Sequence, residues 1–192
     1  SVWDTESAKE IVSLNPKIIK IPSAHNLDFP LLDVVCKKHK GEIHISTGMT
    51  TKKEIKEIFR YLKLKKKLKK TVIYYCVSSY PAKDKDLCMY EIKEFYKKYN
   101  EDILAIGFSG HHQGIAIDIA ALTLGARYFE RHFTLDRTWK GTDHAASLEP
   151  EGLRRLNRDI KTVNMTLKRW DGKFVNSEKI QRNKLKKINN VI

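Results

Sequence analysis

The chain has 192 residues, of which 41% are hydrophobic and 31% charged, and this balance predicts a folded domain rather than a disordered segment. No apolar run of about 18 residues occurs, so we expect no transmembrane helix. Residues 1–4 show no signal peptide, and a cytoplasmic location fits. The three cysteines, Cys36, Cys76 and Cys88, follow no disulfide or zinc pattern, and the first two are expected to be core thiols.

The net charge of +14 comes from 37 lysine and arginine residues against 23 aspartate and glutamate residues. Much of the excess lies in two lysine-rich stretches, residues 63–70 and 173–187, which we interpret as solvated helix faces and loops. Nucleic-acid binding is disfavoured, because no aromatic stacking pattern is interleaved with the lysines. The same charge would suit a pocket for an anionic, phosphate-bearing substrate.

The predicted elements alternate along the chain. Helices are predicted at residues 4–14, 29–39, 51–62, 87–99, 114–124 and from about Pro150 past Ile160. The second is expected to end with Gly41 as its cap, and Thr50 or Thr51 to begin the third. Between the helices, short segments rich in β-branched and aromatic residues predict strands at residues 18–22, 43–46, 71–77, 104–109 and 127–132.

This alternation predicts an α/β fold built from parallel strand–helix units. Five such units fit either a doubly wound sheet or part of a TIM-type barrel. No glycine-rich dinucleotide or phosphate loop follows any of the predicted strands, which disfavours nucleotide binding.

Each predicted strand ends in residues that can bind ligands. The ends carry Lys20 and Ser23, Ser46, Ser78 and Tyr80, Ser109 and His111, and His132. In parallel barrels the active site is built at that rim, so we expect these side chains to meet. Hydroxyls and a lysine suit phosphate and carboxylate oxygens, and two histidines suit a divalent metal with open positions.

Taken singly, each of these residues has an ordinary structural interpretation. A lone histidine at a strand end is more often a hydrogen-bonded structural residue than a ligand, and Lys20 could extend its ammonium to the surface. His25, His39, His44 and His112 are interpreted as structural or surface residues. The recurrence of polar residues at every strand end is what favours a binding site.

The motifs at these strand ends resemble the N-acetylneuraminate (sialic acid) synthase family. They lie in order along the chain, at residues 20–23 (KIPS), 45–49 (ISTGM), 79–81 (SYP), 106–111 (IGFSGH), 129–133 (FERHF) and 134–150 (TLDRTWKGTDHAASLEP). The resemblance covers the chain to about residue 160 and implies a TIM barrel, here a partial barrel of about five parallel strands. We assign residues 1–165 to that domain and 166–192 to a basic C-terminal tail.

The resemblance also implies a reaction. Family members condense phosphoenolpyruvate with an N-acetylated hexosamine, typically N-acetylmannosamine, and need a divalent metal, usually Mn²⁺ with Mg²⁺ as an alternative. It implies that His111 and His132 are the metal ligands and that Tyr80 and Asp143 meet the sugar. The implied phosphoenolpyruvate-binding residues are Lys20, Ser23, Ser46, Ser78 and Ser109.

The resemblance starts just past the third strand of the family's barrel. The first three strands, with the family's catalytic glutamate and a further phosphoenolpyruvate-binding lysine, are therefore missing from this sequence, as is the small antifreeze-like domain. Some members have Asn where Ser78 stands and Asp where Gly110 stands. We expect the isolated chain to be poorly stable or to associate and to be nearly inactive, while the full-length parent is an active homo-oligomer, a dimer.

Three alternatives stay open. Another member of the family could make legionaminic or pseudaminic acid instead, since the barrel motifs hardly separate these reactions. A basic binding module would contact nucleic acid or another anionic surface through its lysines. An inactive fragment could persist as an oligomerisation piece.

Overall fold

Five parallel strands alternate with helices in a computed structural model that describes residues 1–187. The strands are β1 Ile18–Ile21, β2 Glu42–Ser46, β3 Thr71–Cys76, β4 Ala105–Gly110 and β5 Tyr128–Arg131. The helices are α1 Thr5–Ser13, α2 Phe29–Lys38, α3 Lys52–Leu64, α4 Tyr90–Tyr99, α5 Ala116–Leu124, α6 Pro150–Thr166 and α7 Lys179–Leu185. The predicted strands are confirmed to within about one residue at each end.

The sheet order decides between the two predicted architectures. The strands lie in the order β1-β2-β3-β4-β5, each hydrogen-bonded in parallel to the next one in sequence. A doubly wound sheet reverses direction at a switch point, whereas a barrel adds each new strand on the same side. The sequential order is that of a half-barrel, so the predicted partial TIM-type barrel is confirmed.

Side-chain caps begin the helices where the sequence indicates. Asp4 accepts a hydrogen bond from the Ser7 amide at the start of α1. Thr51 and Glu54 form a reciprocal capping box at the start of α3. These bonds satisfy amide groups that have no partner inside the first turn, so they fix where each of these helices begins.

Two predicted helix boundaries are wrong, the C-terminal end of α2 and the N-terminal start of α4. Helix α2 ends at Lys38, and His39 is already extended, so Gly41 is not its cap. Gly41 instead allows a close backbone approach, since a Cβ there would lie 2.2 Å from the Lys17 carbonyl oxygen. Helix α4 begins at Tyr90 rather than near residue 87, because Leu87 adopts a non-helical conformation after a short 3-10 turn.

The two faces of the sheet differ in chemistry. One face packs apolar residues against the helices: Ile19, Ile21, Ile43, Ile45, Ile73, Ile106 and Phe108. The alternate residues point to the opposite, concave face and are mostly polar: Lys20, Glu42, His44, Ser46, Tyr74, Ser109, Tyr128 and Glu130. The period of two along a strand thus separates a hydrophobic core from a polar surface.

The C-terminal region is built differently. Helix α6 buries Leu156, while the stretch that follows it, up to residue 187, is exposed throughout and contains a 3-10 turn at Asn176–Glu178 and the short helix α7. The last five residues of the predicted basic tail, 188–192, lie outside the described residues, and the domain boundary at residue 165 stays a prediction. Within residues 1–187, no helix is long and apolar enough to cross a membrane.

Candidate functional site

The carboxyl ends of the strands enclose a cavity of about 410 Å³. Its lining includes most of the predicted site residues: Lys20, Ser23, Ser46, Tyr80, Ser109, His111, His132 and Asp143. Residues from β1 to β5 therefore meet at one rim, as parallel strands require. The structure brings the predicted residues together, and their individual roles stay predictions.

Lys20 defines the cationic side of the cavity. Its ammonium lies inside the half-barrel, with the side chain only 13% exposed, rather than at the surface. It donates hydrogen bonds to Ser46 Oγ at 2.7 Å and to Glu130 Oε1 at 2.9 Å. The ammonium also lies 5.3 Å from the centre of the Tyr74 ring, which supports it from the concave face.

Glu130 is a site residue that the sequence analysis did not single out. Its carboxylate accepts hydrogen bonds from Lys20 and from Ser109 Oγ, the latter at 2.8 Å. Burial raises the pKa of Glu130, but attraction to Lys20 and these hydrogen bonds outweigh it, so the net pKa is lowered and the group is ionised at neutral pH. The signal was available: Glu130 lies two residues before His132, on the same face of β5.

The hydroxyls of Ser23 and Ser78 lie close to the backbone of the loop after β2. Gly48 donates its amide hydrogen to Ser23 Oγ at 3.0 Å. A Cβ at Gly48 would lie 2.2 Å from Ser78 Oγ and 2.8 Å from Ser23 Oγ, so a larger residue there would displace both hydroxyls. Cys76 lies between them, with its sulfur 3.7 Å from each hydroxyl oxygen. The expectation that Cys76 is only a core thiol is therefore incomplete, since this buried residue also lines the cavity.

His111 is held in one tautomer. Its Nδ1–H donates to the Val77 carbonyl oxygen at 2.9 Å, because a carbonyl can only accept. Burial lowers the pKa of the His111 imidazole, so the ring is neutral at neutral pH. The lone pair of Nε2 is then free for a ligand bond.

His132 faces His111 across the cavity. The centres of the two rings are 5.1 Å apart, and the rings are nearly perpendicular. Burial and the neighbouring His111 lower the pKa of His132, against the attraction of Asp143, whose Oδ2 lies 3.6 Å from His132 Nδ1. Two neutral imidazoles are thus directed into one space.

Tyr80 closes this side of the cavity. Its ring centre lies 4.3 Å from that of His111 and 5.6 Å from that of His132. The Tyr80 ring is partly exposed, as is Asp143 on the loop after β5. Both side chains can therefore reach a polar ligand that enters beside the imidazoles.

The donor set fits a divalent transition metal with two protein ligands. Imidazole nitrogen binds divalent transition metals, and two histidines leave most positions open for water or substrate oxygen, the ligands that Mn²⁺ prefers. Among residues 1–187, no group of three or more His, Cys, Asp or Glu side chains is arranged to hold a metal. A closed structural metal site is therefore not formed by the described residues, whereas an open site at His111 and His132 is compatible with them.

The sequence matches known proteins over most of its length. A model of the NeuB family matches residues 1–171. The chain belongs to the NeuB family. Among similar NeuB-type proteins, the N-acetylneuraminate-9-phosphate synthase of Homo sapiens is 37% identical over 168 residues, which are 87% of this chain and 45% of that protein.

Two further comparisons agree. The N,N'-diacetyllegionaminic acid synthase of Campylobacter jejuni is 37% identical over 165 residues, 84% of this chain and 47% of that protein. The crystal structure of the N-acetylneuraminic acid synthetase of Leptospira borgpetersenii superposes with a TM-score of 0.82 at 28% identity, covering 95% of this chain and 63% of that one. The chain thus spans less than half the length of the two sequence relatives.

Proposed function

We propose that the intact protein condenses phosphoenolpyruvate with an N-acetylated hexosamine, N-acetylmannosamine in the first place, to give N-acetylneuraminate and phosphate. The observation that carries this proposal is the division of the cavity. Lys20, Ser46 and Ser109 form one hydrogen-bonded group with Glu130, and the two imidazoles form a second group with the Tyr80 ring. An anionic enol donor and an aldehyde acceptor need these two chemistries side by side.

The phosphate and carboxylate of phosphoenolpyruvate would bind beside Lys20. The ammonium is bonded to Ser46 and Glu130 and is held from below by the Tyr74 ring, so it is positioned before a ligand arrives. The cavity-lining hydroxyls of Ser23, Ser46 and Ser109 can turn their hydrogens toward anionic oxygens, and Ser78, which does not line the cavity, has its hydroxyl 3.7 Å from the sulfur of the lining residue Cys76. This preorganisation lowers the entropic cost of anion binding.

His111 and His132 would hold the divalent metal, Mn²⁺ or Mg²⁺, through their free nitrogens. When bound, the metal acts as a Lewis acid that polarises the sugar aldehyde. Tyr80 and Asp143, partly exposed beside the imidazoles, would bind sugar hydroxyls and orient the open-chain sugar. The enol carbon of phosphoenolpyruvate then forms the new C–C bond to the aldehyde carbon.

Glu130 would act on the second step. Water adds to the carbon that bears the phosphate, and phosphate leaves with C–O cleavage, so one water is consumed in each turnover. The Glu130 carboxylate is ionised, is hydrogen-bonded to Lys20 and Ser109, and lines the same cavity as the histidines, so it can accept the proton of that water. The Lys20 ammonium compensates the negative charge of Glu130 until that proton is transferred.

Metal titration of the intact protein tests this site. His111→Ala and His132→Ala should each abolish Mn²⁺ binding and metal-dependent condensation, because each removes half of the protein ligands. His39→Gln is a matched control, since His39 is buried before β2, at the opposite end of the strands, and should leave binding unchanged. Survival of Mn²⁺ binding and activity in both ligand variants would contradict the assignment.

The acceptor sugar is tested by competition among substrates. N-Acetylmannosamine, its 6-phosphate, and the 6-deoxy diacetamido sugars of legionaminic and pseudaminic acid synthesis are supplied with phosphoenolpyruvate and Mn²⁺. The 6-phosphate is included because one relative is named for a 9-phosphate product. The sugar with the highest kcat/KM identifies the acceptor, and turnover of none of them would contradict the proposal.

A further inference from the structure

A buried ion cluster lies behind the two imidazoles, on the helix side of the sheet. It consists of His112, just after β4, Arg131, the last residue of β5, and Asp118, in the first turn of α5. The side chains of His112 and Asp118 are completely buried, and that of Arg131 is 3% exposed. We refer to these three residues as the anchor cluster.

Short hydrogen bonds connect the cluster. Arg131 Nη1 donates to Asp118 Oδ2 at 2.6 Å and to the Gly114 carbonyl oxygen at 2.9 Å. Arg131 Nη2 donates to the His112 carbonyl oxygen at 2.7 Å. His112 Nε2 lies 3.2 Å from Asp118 Oδ2. Arg131 Nη1 also lies 3.3 Å from His112 Nε2, so the imidazole, the guanidinium and the carboxylate are in mutual contact.

The cluster joins the two strand ends that carry the candidate metal ligands. His112 follows His111 directly, and Arg131 precedes His132 directly. Because neighbouring residues point to opposite faces of a strand, the histidines face the cavity while the cluster faces α5. Arg131 donates to the Asp118 carboxylate and to the His112 carbonyl oxygen, so its guanidinium fixes the end of β5 relative to the end of β4 and to α5.

Gly110 is part of this arrangement. A Cβ at Gly110 would lie 2.9 Å from the Phe108 ring and 3.0 Å from the His112 ring. The His112 ring packs parallel to that of Phe108, with centres 5.8 Å apart. Glycine at this position therefore lets the His112 ring fold back toward Asp118.

Such a cluster is a poor way to gain stability, since removing charges from water offsets most of their attraction. Its hydrogen bonds do, however, have fixed directions, which apolar packing lacks. His111 has a hydrogen bond of its own, to Val77, whereas the polar contact of the His132 side chain is the long 3.6 Å approach to Asp143, beside ring contacts with Tyr80 and His111. The direction of the His132 ring thus depends mainly on how the end of β5 is held.

We propose that His112, Asp118 and Arg131 are positioning residues that set the separation of His111 and His132, and with it the affinity for a divalent metal. This inference rests on the proposed metal site. It assigns the cluster a role in geometry rather than in contact with substrate.

Two variants of the intact protein test the proposal. Asp118→Asn keeps the shape of the side chain but removes its charge, and Arg131→Lys keeps a cation but loses the second arm that reaches the His112 carbonyl. Each should weaken Mn²⁺ binding about tenfold, a typical effect of residues that orient metal ligands. Asp33→Asn is the control, because it removes a carboxylate from the Lys37–Asp33–Lys65 ion pairs on α2, away from the cavity, and should leave Mn²⁺ affinity unchanged.

A second measurement does not need the metal. In metal-free protein, ring resonances of ¹⁵N-labelled histidines should shift more for His132 than for His111 in both variants, and for neither in Asp33→Asn. Folded variants with parental Mn²⁺ affinity and unshifted rings would overturn the proposal and leave the cluster a purely structural role. If the unaltered protein binds no Mn²⁺, the proposed metal site fails, and the metal-free spectra decide the positioning proposal alone.

Discussion

The two faces of the same five strands follow opposite rules. On the helix side, Ile43, Ile73 and Phe108 are completely buried among apolar residues. These side chains stabilise the fold because folding removes their hydrocarbon surface from water. On the cavity side, Lys20, Ser109 and Glu130 satisfy one another by hydrogen bonds. The difference shows that, along one strand, alternate residues stabilise the fold and the residues between them line the cavity.

Arg131 is the exception to this division. It points to the helix side yet is charged, and it is paired there with the completely buried Asp118. Because Arg131 directly precedes His132, it links the helix side of the sheet to the cavity side. Variants on either face can therefore separate loss of folding from loss of binding.

The largest effect on stability is expected on the helix side. Phe108→Ala should lower the free energy of unfolding by about 3–5 kcal/mol, because it removes a fully buried aromatic ring and leaves a cavity. Urea unfolding measures this change. Leu64→Ala, at a residue 75% exposed, is the control and should change stability by less than about 0.5 kcal/mol. A comparable loss in both variants would contradict the division of the faces.

On the cavity side, Lys20→Met should leave the fold intact but weaken phosphoenolpyruvate binding by about tenfold to a hundredfold, the value of hydrogen bonds to a charged group. Isothermal titration measures the affinity. Lys17→Met, at an exposed lysine just before β1, is the matched control. Equal affinities of the two variants would show that Lys20 does not bind the anion.

Glu130→Gln should separate binding from turnover. Removing the carboxylate frees the Lys20 ammonium, so phosphoenolpyruvate should bind as tightly as before or more tightly. Turnover should fall by about a hundredfold, because a group that accepts the proton is lost. Steady-state kinetics give the two parameters separately, and a rise in KM at unchanged kcat would contradict this role.

The smallest effect is expected in the outer helix layer. Hydrogen bonds from Lys37 and Lys65 hold the pKa of Asp33 well below its usual value. Its stabilising contribution is therefore present above the pKa of the unfolded chain, near 4, and is lost as pH falls toward the lower folded-state value. Thermal unfolding of Asp33→Asn should show a small loss at pH 7 that disappears in acid. A loss that grows in acid would contradict the sign of this pKa shift.

Several features of the fold follow from local sequence. The strands from Ile18 to Arg131 were predictable because β-branched runs between turns favour extended backbone whatever surrounds them. The start of α3 at Thr51 was predictable because its capping box is local. The end of α2 was not, since Gly41 serves an approach to Lys17 across the chain rather than the cap of its own helix.

The sequence by itself also determined the family and which strand ends carry lysine, serine and histidine, because motifs and period are properties of neighbouring residues. Tertiary structure decided how those ends meet. The pairing of Glu130 with Lys20 joins residues 110 positions apart, and the bond between Arg131 and Asp118 joins β5 to α5. Such contacts depend on the order of strands and the burial of charge, which arise only when the sheet curves around its cavity and packs against its helices.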